Sequence, residues 1–215
     1  MKNGTEEKKN ILDRSATKII AYTALLAALV CVLSPFAVNI GPIPLSFGSL
    51  GVYIAASLLD FKRGTAAVLT FVLLGAFGVP VFTNFTGGFF KLVGPTGGFI
   101  FGYIPCALII GLIIDRWENK AWIYPLAMIA GTTALYACGT LFYMLQAKVS
   151  FAVAFSACVA PFLIGDAIKI AAATALCFPL RKILKKFVSL PKKAKSAPQS
   201  EAQGANDALP KDNAE

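Results

Sequence analysis

Ala160-Pro161-Phe162-Leu163-Ile164-Gly165-Asp166-Ala167-Ile168-Lys169, running into the apolar segment 170–180, reads as the opening of a membrane-spanning helix. Pro161 suits a first helical turn, where a missing N–H costs nothing. Asp166 and Lys169 stand three residues apart, a spacing that puts both side chains on one helical face. At 1.5 Å per residue they lie about 8 and 12 Å in from the Pro161 end. A charge near the bilayer centre costs about 2.5–3.5 kcal/mol on insertion scales. A pair at this depth needs a polar cavity, a ligand or each other. Packed helices could hold it as a self-neutralised pair, but ionisable residues within spans are functional by default.

The composition surrounds this helix with others of its kind. Of 215 residues, 57% are apolar and 14% charged, and the mean hydropathy is +0.70. Soluble domains carry about 25% charged residues, so the chain is an all-α membrane protein with room for one bundle and no soluble catalytic domain. Residues 1–15 are polar, and no short apolar region with an A-x-A site follows them, so the first span reads as retained and not as a signal peptide. The net charge of +9 would suit nucleic acid on a soluble surface. Here the bases cluster beside apolar segments instead, which points to the lipid bilayer as the partner. There is no histidine, which removes the commonest metal ligand and the usual base near neutral pH. Cys31, Cys106, Cys138, Cys158 and Cys177 form no C-x-x-C and read as small core- or lipid-facing residues.

Six spans are expected: 17–33, 45–59, 65–79, 99–114, 122–145 and 161–180. They divide the chain into a cytosolic lead (1–16), a six-helix transmembrane domain (17–188) and a disordered cytosolic tail (189–215) rich in Lys, Ala, Pro and Gln. Ser34-Pro35 ends the first span, and the linker 36–44, with Asn39, Gly41, Pro42 and Pro44, cannot continue a helix. The second and third spans are short, but a re-entrant hairpin would leave Asp60, Lys62 and Arg63 in hydrocarbon. With both termini inside, seventeen of the twenty bases fall on the cytoplasmic side against Lys91 and Lys148 outside, with Lys169 in the membrane. So lopsided a count fixes the orientation, with the N and C termini cytoplasmic. It also places Asp166 and Lys169 in the outer half of the membrane.

Just above them lies Gly87-Gly88-Phe89-Phe90-Lys91-Leu92-Val93-Gly94-Pro95-Thr96-Gly97-Gly98. Glycine permits positive φ and close approach, which suits either a loop folding over a ligand or a connector with tight turns. It lacks the Gly-Lys-Ser/Thr ending of a phosphate-binding loop, and no such loop occurs elsewhere, so the chain is not expected to hydrolyse ATP alone. Ala24-Leu25-Leu26-Ala27-Ala28 and Gly98-Phe99-Ile100-Phe101-Gly102 are small-residue patterns that let helices approach closely. Packing within the bundle is the ordinary use of both; Ala24, Ala27 and Ala28 could also dock another membrane subunit. Without histidine, and with one aspartate in the spans, catalysis has little to stand on, and no enzyme is expected.

The proline segment at 42–44, Arg63-Gly64, the Gly-Gly…Gly-Pro-Thr-Gly-Gly loop and Pro-Phe-Leu-Ile-Gly-Asp-x-x-Lys occur together and in order. Over residues 17–186 this combination closely resembles the biotin-specific substrate-binding (S) components of energy-coupling-factor transporters, the BioY family. The resemblance implies six helices and an outward-facing vitamin pocket in a multi-pass protein of a bacterial plasma membrane. It also implies that Asp166 and Lys169 meet the biotin head group, whose N–H donors and carbonyl suit a carboxylate and an ammonium. Asn84 is a further polar contact, and the implied ligand set is completed by Gly87, Gly88, Phe89, Gly97, Gly98, Phe47 and Tyr143. Two positions depart from the pattern. Gly48 stands near a frequent Gln and Thr86 where an Arg often precedes the first Gly-Gly, so Lys91 and Lys148 become candidates for the acidic tail of the vitamin. By the same resemblance, the partners are a transmembrane coupling protein and two cytosolic ATPases, with biotin as transported ligand and no cofactor.

Three other readings remain open at the level of sequence. An ion-driven secondary carrier would need a coupling site, whereas Asp60 and Asp115 read as loop charges, and no inverted repeat is visible. A structural scaffold would leave Asp166 and Lys169 without a purpose. An S component for another vitamin would keep the fold and change the substrate.

Overall fold

The computed structural model describes residues 3–39, 43–117 and 120–187. Eight helices and one two-stranded ribbon appear among them, in the order α1 (Asn3–Leu33), β1 (Ala37–Val38), β2 (Leu45–Ser46), α2 (Gly48–Leu58), α3 (Phe61–Ala76), α4 (Phe89–Val93), α5 (Gly97–Arg116), α6 (Ile123–Ala147), α7 (Phe151–Cys158) and α8 (Phe162–Phe187). Six of them, α1, α2, α3, α5, α6 and α8, correspond to the six expected spans. Gly97–Arg116, Ile123–Ala147 and Phe162–Leu184 are each long and apolar enough to cross a membrane; Thr17–Leu33 and α2 are apolar but shorter.

Several boundaries differ from expectation, each for a physical reason. The first helix begins at Asn3, within the segment read as a lead; its Glu, Lys and Leu are good helix formers. The second expected span loses Leu45 and Ser46, which pair antiparallel with Val38 and Ala37. That leaves α2 with 11 residues, about 16 Å against a hydrocarbon core of about 30 Å. A short helix is tolerable here because α2 is enclosed: ten of its eleven residues are buried, against α1, α3, α5 and α8. Irregular backbone at membrane depth survives only where protein covers it. Two short helices, α4 and α7, interrupt segments read as loops. The tail 189–215 and the linker residues Gly41 and Pro42 lie outside the described residues.

The larger core cluster runs through α1, α2, α3, α5, α6 and α8, around fully buried Val52, Tyr53, Val68, Phe71, Ile110 and Met128. Close packing of α5 on α6 depends on small residues. A Cβ on Gly102 would meet Leu135 Cδ1 at 2.9 Å, and one on Gly131 would meet Ile110 Cγ1 at 2.7 Å. At the Arg116 end of the bundle, Asp115 proves not to be a loop charge. Its Oδ2 accepts from Phe61 N–H at 2.7 Å, and its Oδ1 pairs with the buried Arg181. The Arg181 Nη1 donates to Ser57 O at 2.8 Å. One ion pair thus ties the ends of α2, α3, α5 and α8. Asp60 keeps its expected role as a half-exposed boundary charge, 3.2 Å from Arg63.

Candidate functional site

At the opposite end of the bundle Asp166 and Lys169 are only 5% and 6% exposed. Four residues into α8, the helix presents both toward α2, and their charged atoms stand 3.0 Å apart. The pair is not left to itself. Lys169 Nζ also donates to Ser46 O at 2.7 Å and Ser49 Oγ at 3.0 Å. Ser49 donates in turn to Asp166 Oδ1 at 3.3 Å, and Tyr136 O–H donates to Asp166 Oδ2 at 2.5 Å. The three donors of the ammonium are therefore all used, while Asp166 Oδ2 keeps a lone pair.

The β1–β2 ribbon contributes one acceptor to this arrangement. Pairing of Leu45–Ser46 with Ala37–Val38 turns the Ser46 carbonyl to the ammonium, and Ser46 Oγ bonds Ser34 O at 2.8 Å and accepts from Gly48 N–H at 2.8 Å. On the α6 side, Tyr53 and Thr132 hydroxyls meet at 2.5 Å, fixing α2 against α6 one turn below Tyr136.

The pair opens onto a cavity of about 50 Å³ whose walls include Ser34, Ser46, Ser49, Tyr103, Tyr136 and Phe162. Phe82, Thr83 and Thr96 from the loop and Phe99 and Ile100 from the start of α5 also line it. Of the residues expected at a ligand, Asp166 and Lys169 line this cavity. Phe47 stands beside it, with Lys169 Nζ 5.8 Å from its ring centroid. The structure does not bring the others to the wall. Asn84 is exposed at the tip of the loop, its N–H bonded to Pro35 O at 2.8 Å and its amide to Asn39 at 3.3 Å. Phe89 is 68% exposed. Tyr143 packs against the neighbouring cluster of Ile43, Cys158, Val159 and Phe162. Gly87, Gly97 and Gly98 are packing glycines: a Cβ on Gly98 would meet Cys138 O at 2.9 Å, and Cβ atoms on Gly87 and Gly97 would collide with the Val79 and Leu92 carbonyls. Gly88 holds φ +95, a conformation glycine adopts freely. Lys91 and Lys148 are not among the lining residues.

Gly48 has a clear reason to be glycine. A Cβ there would stand 2.8 Å from Ser34 Oγ, 2.9 Å from Tyr103 O–H and 3.1 Å from Ser46 Oγ, so three hydroxyls fill the space a longer side chain would need. Ser49, Ser46 and Tyr136 were not anticipated from sequence. A signal existed for Tyr136, which lies mid-helix in α6 although tyrosine in spans prefers the interfaces.

The sequence matches the BioY family over residues 5–186. The chain belongs to the BioY family. It is 39% identical over 162 residues to a biotin transporter BioY of Thermotoga maritima, covering 74% of this chain and 93% of that one. It is 34% identical over 172 residues to a biotin transporter BioY of Rhizobium etli, covering 75% and 91%. Its fold is similar to the crystal structure of the S-component for biotin from an ECF-type ABC transporter, with a TM-score of 0.73 and 22% identity over 79% of this chain and 93% of that one. In this BioY chain, then, the buried Asp166–Lys169 pair sits in a bundle of S-component fold.

Proposed function

We propose that this BioY protein is the membrane-embedded component that captures biotin outside the cell for an energy-coupling-factor transporter, in the plasma membrane and with its termini in the cytoplasm. One observation carries the reading: a buried ion pair, reinforced by Ser49, Ser46 and Tyr136, opens onto a cavity lined by both hydroxyl-bearing and apolar side chains. Breaking even with desolvation requires such a pair to be fully hydrogen-bonded, and the lone pair left on Asp166 Oδ2 is an acceptor that a ligand can use. A cyclic urea presents an N–H beside a carbonyl, which matches the Asp166 acceptor lone pair beside the Lys169 ammonium. For Lys169 to reach the carbonyl, one of its three present bonds must yield.

The cavity is smaller than the about 300–1,000 Å³ of ordinary ligand pockets, so it must enlarge to take a ligand. Entry requires the segment around Phe82 and Thr83 to lift. Asn84, at its tip, then becomes free of Pro35 and Asn39 to turn toward the ligand. Energy would come from a transmembrane coupling protein and two cytosolic ATPases, which meet the small-residue face of α1. Ala24 and Ala28 are exposed on that face while Ala27 is buried, so the outward pair is the docking surface.

The test is identification of the small molecule that co-purifies with the detergent-solubilised protein. Biotin is expected. A different vitamin would keep the fold and overturn the substrate.

A further inference from the structure

The segment joining α3 to α4 forms the lid of the cavity, through Phe82 and Thr83. Its composition is wrong for an aqueous loop. Residues 77–96 contain one charge, Lys91, against five phenylalanines. Phe77, Phe89 and Phe90 are 86%, 68% and 94% exposed. Phe77 continues the stripe of Leu69 and Leu73, likewise exposed, at the i, i+4, i+8 spacing that marks one helical face. That stripe is the membrane-facing side of α3, and Phe77 extends it past the helix end. Gly88 N–H bonds Gly75 O at 2.7 Å, which brings the start of α4, and with it Phe89 and Phe90, alongside the end of α3.

Depth agrees. Helix α3 has 16 residues, about 24 Å of a hydrocarbon core of about 30 Å. The Asp60–Arg63 pair marks the water boundary at its start, so lipid continues beyond Ala76. Backbone in hydrocarbon must satisfy its own polar groups, and residues 77–82 do so for their N–H groups. In residues 77–82 every N–H is bonded: Phe77 to Leu73 O, Gly78 to Gly75 O, Val79 to Leu74 O, Val81 to Val79 O and Phe82 to Thr86 O, Pro80 having none. Lys91 follows Phe90 as a long basic side chain able to reach the headgroups.

We infer that the lid of the binding cavity is seated in the bilayer, with Phe77, Phe89 and Phe90 in the hydrocarbon of the leaflet at the Pro161 end of α8. The occupant of this surface is lipid, not another protein. When the lid lifts, these rings slide within the leaflet and do not pass from protein to water. The inference rests on the membrane-spanning fold and not on the identity of the ligand.

Depth-dependent fluorescence quenching tests it. Trp117 and Trp122, at the other end of the bundle, are replaced by Phe, and Phe90→Trp supplies one reporter in the full chain reconstituted in phosphatidylcholine vesicles. Phe77→Trp, made separately, gives an independent reporter if the first variant misfolds. The expected result is loss of more than about half the emission with lipids brominated on the acyl chain, and little loss with aqueous iodide. Iodide quenching comparable to that of a free indole, with no response to brominated lipid, would overturn the inference. Neither result depends on biotin, so failure here leaves the ligand assignment standing, and failure of that assignment leaves the lid where quenching puts it.

Discussion

Asp166 and Lys169 are each buried and each hydrogen-bonded, with only Lys169 using all its donors, which makes the two residues sensitive in different ways. Removing one charge strands the other, and an uncompensated buried charge costs about 3–5 kcal/mol. Lys169→Met alone should therefore lower the thermal midpoint sharply, as followed by scanning fluorimetry in detergent. Tyr136→Phe is milder. It removes the hydroxyl that orients Asp166 Oδ2, a bond to a charged group of about 1.5–3 kcal/mol, and should weaken biotin binding about tenfold or more with the fold intact. An unchanged titration would show that Asp166 needs no such orientation. The Asp–Lys spacing was legible because it lies within one helix. Ser49 and Ser46 were not, since they reach Lys169 from 120 and 123 residues away. Asn84 and the glycines illustrate the reverse case: a loop motif can be read in sequence without showing which atoms face the cavity. Gly98 is there because Cys138 O and Phe142 press against it.

At the scale of elements, helix ends were harder to read than helices. The apolar run 45–59 holds both a strand and a helix, and the strand is specified by pairing with Ala37–Val38, which no local propensity encodes. Asp115 read as a loop charge because its partner Arg181 belongs to the last helix. Since this pair joins the ends of four helices, Asp115→Asn should destabilise the bundle by about 3–5 kcal/mol while leaving biotin affinity per folded molecule unchanged. Denaturation and ligand titration of the same preparation separate the two effects. On α1, Ala24 and Ala28 face outward. Replacing either with Trp should abolish uptake in cells by preventing close helix approach, with binding by the purified protein retained. Parallel loss of binding would place this face in the core. Ala27→Trp is the contrasting variant: Ala27 is 4% exposed, so it should fail to fold.

For the molecule as a whole, charge distribution and hydropathy carried most of the architecture, because a bilayer leaves few options other than a bundle of helices. Six spans and the deep ion pair follow from sequence; the cavity beside the pair does not, because its lining is gathered from segments far apart in the chain. The same scale bears on energetics, as the sequence holds no phosphate-binding loop. In liposomes the chain alone should bind biotin without accumulating it under an ion gradient, and accumulation would favour a secondary carrier. The central claim, that Asp166 and Lys169 read the ligand and do more than neutralise each other, is tested most directly by calorimetric titration of biotin into the purified Asp166→Asn/Lys169→Met double variant. That variant is neutral, so the stranded-charge penalty is gone and it should fold. The account predicts that it binds biotin at least about tenfold more weakly than the parent, equivalent to about 1.4 kcal/mol. Parental affinity in the folded double variant would contradict it and place the pocket elsewhere.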